Sequence, residues 1–105
     1  MREVIVAGGY ADELQTGLAD ALGSDLADAS VWAALVAEGA DYPEAADPAW
    51  VSATVADGVV SVLVDSSQAA GHFWLWLKVQ QGGRVWLVRV ADPDRPARPW
   101  LIYVH

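Results

Sequence analysis

The spacing of apolar positions changes twice along the chain, and each change marks a different kind of element. Residues 2–7 (REVIVA) form a short apolar run that stops at Gly8-Gly9 and predict a first strand. From Tyr10 the spacing becomes helical. Tyr10, Leu14, Leu18, Ala21 and Leu22 share one stripe with acids between them, and Gly23 stands where a helix-ending glycine belongs. The next stretch repeats the design: Ser24 or Asp25 can cap, Leu26, Ala29, Trp32, Leu35 and Val36 make a stripe, and Gly39 stops it. Residues 40–49, with Pro43 and Pro48, predict a loop.

Beyond the loop the period is two. Residues 49–65 predict a hairpin turning at Asp57-Gly58, a type I′ pair that sets Ala56 opposite Val59. One face of it then carries Val51, Ala53, Val55, Val60, Val62 and Val64. The other carries Trp50, Ser52, Thr54, Ala56, Val59, Ser61, Leu63 and Asp65. Residues 71–90 predict a second hairpin turning at Gly82-Gly83, with Gln81 opposite Arg84. Its apolar face is Phe73, Leu75, Leu77, Val79, Trp86, Val88 and Val90. Its mixed face is His72, Trp74, Trp76, Lys78, Gln80, Val85, Leu87 and Arg89. A three-residue loop would move Arg89 into the apolar set, so parity favours the two-residue turn. A proline-rich connector, DPDRPARP, leads to a last short strand in WLIYVH.

These elements predict a single α+β domain over residues 1–105: a short N-terminal strand, then two helices packed on one face of a curved antiparallel sheet of about four to five strands. The sheet face turned away from the helices would carry Trp50, Trp74, Trp76 and Arg89. Three indoles together make an apolar patch near ~500 Å². Patches of that size on small soluble domains are often functional. The expectation that follows is a non-enzymatic association domain, a homodimer or the partner of another protein, working through this face. A small-molecule pocket with Arg89, Lys78 or His72 as polar anchors is the alternative use of the same residues.

Composition narrows the classes. The net charge is −8, with twelve acids against one base in residues 1–65 and two acids against five bases in 66–105. An acid excess of that size repels a phosphate backbone, which argues against nucleic acid as a partner. It also allows an acidic inhibitor or immunity-type protein, in which the helices would present carboxylates to a basic target. There is no cysteine, so disulfides and thiolate metal sites are excluded. No apolar run approaches the ~18 residues that span a bilayer. The apolar run near the start, Val4 to Ala7 and then glycine, is too short for a signal-peptide core, so the expected compartment is the cytoplasm and no membrane partner is expected.

Candidate chemistry is sparse, and no cofactor or metal is expected. Gly8-Gly9 follows a strand but lacks dinucleotide-fingerprint or P-loop spacing, and reads as a tight turn. Asp65, Ser66, Ser67 and His72 supply the residue types of a hydrolytic triad, but real triads are assembled from separate elements, and this cluster reads as a loop. With two histidines, one at position 105, a transition-metal site is not expected. Asp92 and Asp94 offer too few oxygens for calcium and read as a turn. Arg95 and Arg98 stand among prolines in a stiff connector that lowers the ordering cost of binding.

The order of two helices followed by a curved antiparallel sheet resembles NTF2-like and other cystatin-like domains. With the first strand included it also resembles a helix-grip domain without its C-terminal helix. The resemblance is one of layout and implies a cone between helices and sheet, where enzymes of that layout place a polar residue. Here the corresponding face is Val, Ala, Leu and Phe, which argues against catalysis.

Overall fold

Two β-sheets enclose the core. The computed structural model describes residues 1–17, 29–47 and 49–105. Among them the strands are β1 (Arg2–Val4), β2 (Asp12–Gly17), β3 (Ser30–Ala37), β4 (Val51–Ser52), β5 (Thr54–Ala56), β6 (Val59–Val64), β7 (Gly71–Gln81), β8 (Arg84–Arg89) and β9 (Leu101–Val104). The larger sheet runs β1-β9-β7-β3-β4, with β8 also paired to β7; the smaller runs β2-β6-β5. The long strand β7 organises the larger sheet. Along one edge it pairs with β3 from Phe73 to Gln80. Its other edge is shared, β9 taking Gly71–Trp74 and β8 taking Trp76–Gln81.

This arrangement corrects the expected α+β class. Among the described residues there is no α-helix, only a 3₁₀ turn at Ala7–Gly9. The two expected helices are replaced where they are seen: residues 12–17 are β2 and residues 30–37 are β3. Their remaining parts, 18–28, lie outside the described residues. The resemblance to NTF2-like, cystatin-like and helix-grip layouts falls with the helices. So does a surface of helix-borne carboxylates.

The physical reason is visible in β3. Val31, Ala33 and Leu35 pack into the core, while Trp32, Ala34 and Val36 face the other side. An apolar set that fills both faces satisfies a helical stripe and a two-residue alternation equally well. Alanine's helical preference amounts to a few tenths of a kcal/mol per residue. Pairing an eight-residue ladder with β7 and burying Val31, Ala33 and Ala34 outweighs it. In β2 the single fully buried Leu14 decides: its burial between the sheets is worth ~1.5–3 kcal/mol, more than the helical preference of Glu and Gln beside it.

The hairpin registers are those that the turns demand. Ala56 pairs with Val59 around Asp57-Gly58, both with positive φ (52° and 75°), as a type I′ turn requires. Gln81 pairs with Arg84 around Gly82-Gly83, with φ of 57° and 80°. The expected first hairpin is nevertheless divided. Val51 and Ser52 pair with β3 in the larger sheet, whereas Thr54–Ala56 pair with β6 in the smaller. At the crossing, Ala53 donates its N–H to the Val31 carbonyl at 2.9 Å. A strand that changes sheets at a sandwich corner cannot keep one face inward, and Val51 is accordingly 63% exposed.

The core lies between the sheets. Leu75, Leu77, Val79, Val31, Ala33, Ile102, Val104 and Val4 come from the larger sheet, and Leu14, Val60 and Val64 from the smaller. Trp100 and Val90 close it from the connector's two ends. Arg2 of β1 donates to the carboxylate of Asp12 on β2 at 2.8 Å and ties the sheets at their margin.

Candidate functional site

Because β7 alternates, the residues opposite its core-facing side chains define a second face on the outside of the larger sheet. His72, Trp74, Trp76, Lys78 and Gln80 lie on it. The registers bring Tyr103 beside His72 and Leu101 beside Trp74 from β9. They bring Arg89 beside Trp76 and Leu87 beside Lys78 from β8, and Trp32 beside Lys78 from β3.

The face is in three parts. At one end His72 meets the Tyr103 ring edge-on at 4.2 Å, Tyr103 stacks on His105 at 4.1 Å, and His105 reaches the Glu3 carboxylate at 3.3 Å. In the middle the guanidinium carbon of Arg89 lies 5.9 Å from the Trp74 ring and 6.0 Å from the Trp76 ring. At the other end Lys78 sits between two indoles, 4.6 Å from Trp32 and 5.6 Å from Trp50, and donates to the Ala45 carbonyl at 3.0 Å.

Loop residues 42–47 and Trp50 cover this last part. Trp50 donates its indole N–H to the Glu44 carbonyl at 2.7 Å, and the Tyr42 ring lies 5.4 Å from Trp76. Trp76 and Ala34 beneath are buried. Trp74, Trp50 and Trp32 are half-buried, and Arg89 is exposed. All four residues singled out from the sequence, Trp50, Trp74, Trp76 and Arg89, therefore lie on this face or at its margin. They form two clusters rather than one: Trp74 and Arg89 remain open beside the buried Trp76, while Trp50 belongs to the covered end.

Trp32 was assigned to a helix by its spacing, and it joins the face only because β3 is a strand. No alternation marks the strand, because Val31, Ala33 and Leu35 on one face and Trp32, Ala34 and Val36 on the other are all apolar. The covering element is this loop and not the C-terminal strand. Trp100 packs into the core, and Tyr103 lies beside His72 rather than across the indoles.

The other candidates resolve as turns. Asp65 accepts from the Ser67 hydroxyl at 2.6 Å and the Ser67 amide at 3.0 Å, which holds its carboxyl below the ordinary range. His72 is engaged with Tyr103, so these residues form no triad. Asp92, 8% exposed, accepts from the Asp94 amide at 2.8 Å, and that bond holds its carboxyl low, aided by the Met1 amino group at 3.5 Å. Among the described residues no group of His, Asp and Glu could hold a metal ion. Nor is any helix among them long and apolar enough to cross a membrane.

A groove of about 530 Å³ runs beside the open part of the face, lined by Trp74, Leu101, Pro99, Arg95, Arg98, Asp92, Asp94 and Met1. It joins the proline-rich connector to the indoles. Comparison with models of known protein families, with curated proteins and with solved structures finds no match for this chain.

Proposed function

We propose that this β-sandwich is a non-enzymatic protein-association domain whose contact surface is the open part of the outer face, where Trp74 and Arg89 lie beside the buried Trp76. The observation that carries the reading is the setting of Arg89. Its guanidinium lies over two indoles and, among the described residues, within ion-pair distance of no carboxylate, although the chain is strongly acidic. Tryptophan and arginine are the residues that most often dominate interface energies, because each offers a large rigid contact area and a polar handle together. The all-apolar core, with Asp92 the one buried charged residue among those described, gives the reading further support.

Molar mass by light scattering across a concentration series tests it. The domain is expected to associate, and Trp74→Ala and Arg89→Ala to raise the midpoint concentration about tenfold or more, the equivalent of ~1.4 kcal/mol. A monomer at every concentration would refute self-association and leave the face to a different protein.

A second reading rests on the groove, whose size falls in the ~300–1,000 Å³ range of ligand pockets. An anionic small molecule could stack on Trp74 and pair with Arg95 or Arg98. Protection of Trp74 fluorescence by carboxylate or phosphate compounds, lost in Arg95→Ala, would favour it.

A further inference from the structure

We infer that the partner is a second copy of this chain, joined edge to edge through β8 across a two-fold axis with Leu87 facing Leu87. The inference rests on the association reading above and adds to its contact surface the β8 edge, which adjoins the outer face at Arg89. Among the described residues strand β8 pairs with β7 alone, on one side. In a hairpin with a two-residue turn, the residues flanking the turn exchange both hydrogen bonds, and bonded pairs then alternate. Gln81 and Arg84 flank the turn, so Arg84, Trp86 and Val88 spend their backbone groups on β7. Val90 continues the series by donating to the Leu75 carbonyl at 2.9 Å. Val85, Leu87 and Arg89 therefore direct their N–H and C=O groups outward, and among the described residues no strand meets them.

Three consecutive outward residues on an edge make a template for another strand. Two copies related by a two-fold axis perpendicular to the sheet can pair only in registers that keep each side chain on its own face. One of these uses every outward group: Val85 opposite Arg89 of the second copy, Leu87 opposite Leu87, and Arg89 opposite Val85. It forms about six hydrogen bonds, two for each of its bonded pairs. Trp86 then stands opposite Val88 on the core side.

The charges agree with this register. Neither arginine of β8 opposes another across the axis. The two Arg89 side chains sit four positions apart along the strands, about 13 Å, which exceeds the screening length of ~8 Å at physiological salt. Val85, 48% exposed in the single chain, gains a neighbour. The open faces of the two copies become one surface, which places the Trp76–Arg89 pair beside the seam.

Because the chain has no cysteine, single cysteines report the register directly. Facing positions in an antiparallel pair lie at ~5.5 Å between Cα atoms, within disulfide reach. Oxidised Leu87→Cys should form a covalent dimer in high yield. Val85→Cys, about 13 Å from its own copy, should not. Val85→Lys should weaken association about tenfold and Val85→Asp should tighten it, since each places a charge opposite Arg89 of the second copy. A domain that associates with neither pattern would overturn the edge geometry while leaving association through Trp74 and Arg89 standing. A domain that stays monomeric, or that pairs β8 only with an added acidic extended peptide, would overturn the choice of a second copy.

Discussion

Arg89 stands opposite Trp76 in the β7–β8 ladder, and its guanidinium carbon lies almost equally far from Trp76 and from Trp74, at 6.0 and 5.9 Å. The two indoles are two residues apart on one strand, so the cation rests over both. Removing the charge while keeping the stem, as in Arg89→Met, is expected to cost about 0.5–1 kcal/mol in urea unfolding, because exposed cation–π contacts are worth about that much. A larger loss would mean that Arg89 supports the fold beyond these contacts.

Lys78 pins the covering loop. It donates to the Ala45 carbonyl and sits against both Trp32 and Trp50. Lys78→Met should therefore destabilise the domain by roughly 1–2 kcal/mol and speed amide exchange in residues 40–47. Trp50→Phe, which removes the indole donor to Glu44, should speed exchange in the same segment and cost about 1 kcal/mol. Unchanged exchange in either variant would show that the loop is held by other contacts.

The inner and outer faces of the sheets predict opposite sensitivities. Leu75, fully buried between the sheets, should lose about 2–5 kcal/mol on truncation to alanine. Leu63, 65% exposed on the outer face of the smaller sheet, should lose no more than ~0.5 kcal/mol. Chemical denaturation of the two variants decides it, and similar losses would contradict the assignment of faces.

Asp92 gives the stability a pH dependence of known sign. The Asp94 amide and the Met1 amino group hold its carboxyl below the ordinary value of about 3.9. A depressed native pKa contributes stability that is complete above about pH 4 and lost as the pH falls through the native value. Asp92→Asn should accordingly lower Tm at pH 7, and the gap to the parent should close progressively below pH 4. A gap that stays constant down to pH 2 would show that the carboxylate charge is not what the turn uses.

The legibility of this fold varied with the origin of the signal. Both tight turns were readable from Asp57-Gly58 and Gly82-Gly83, because positive φ is a local demand that few residues meet. Turn length then fixed parity, and parity fixed that Trp74, Trp76 and Arg89 share a face. The split of the first hairpin at Ala53 was not readable, since nothing local distinguishes a strand that stays in one sheet from one that crosses to another. Trp32 was missed for a related reason: a strand apolar on both faces carries no alternation to oppose a helical reading.

By itself, then, the sequence determined the properties that depend on neighbours in the chain: the turns, the registers of β5–β6 and β7–β8, and which side chains of those paired strands go together. Tertiary structure decided what residues 12–17 and 30–37 became, and with them the fold class. Their intrinsic preferences differ by tenths of a kcal/mol per residue. The unpaired edges of β6 and β7 offered whole hydrogen-bonded ladders, and the second sheet offered burial worth kilocalories for each large side chain. Where local preference is that weak, the partner strand sets the outcome.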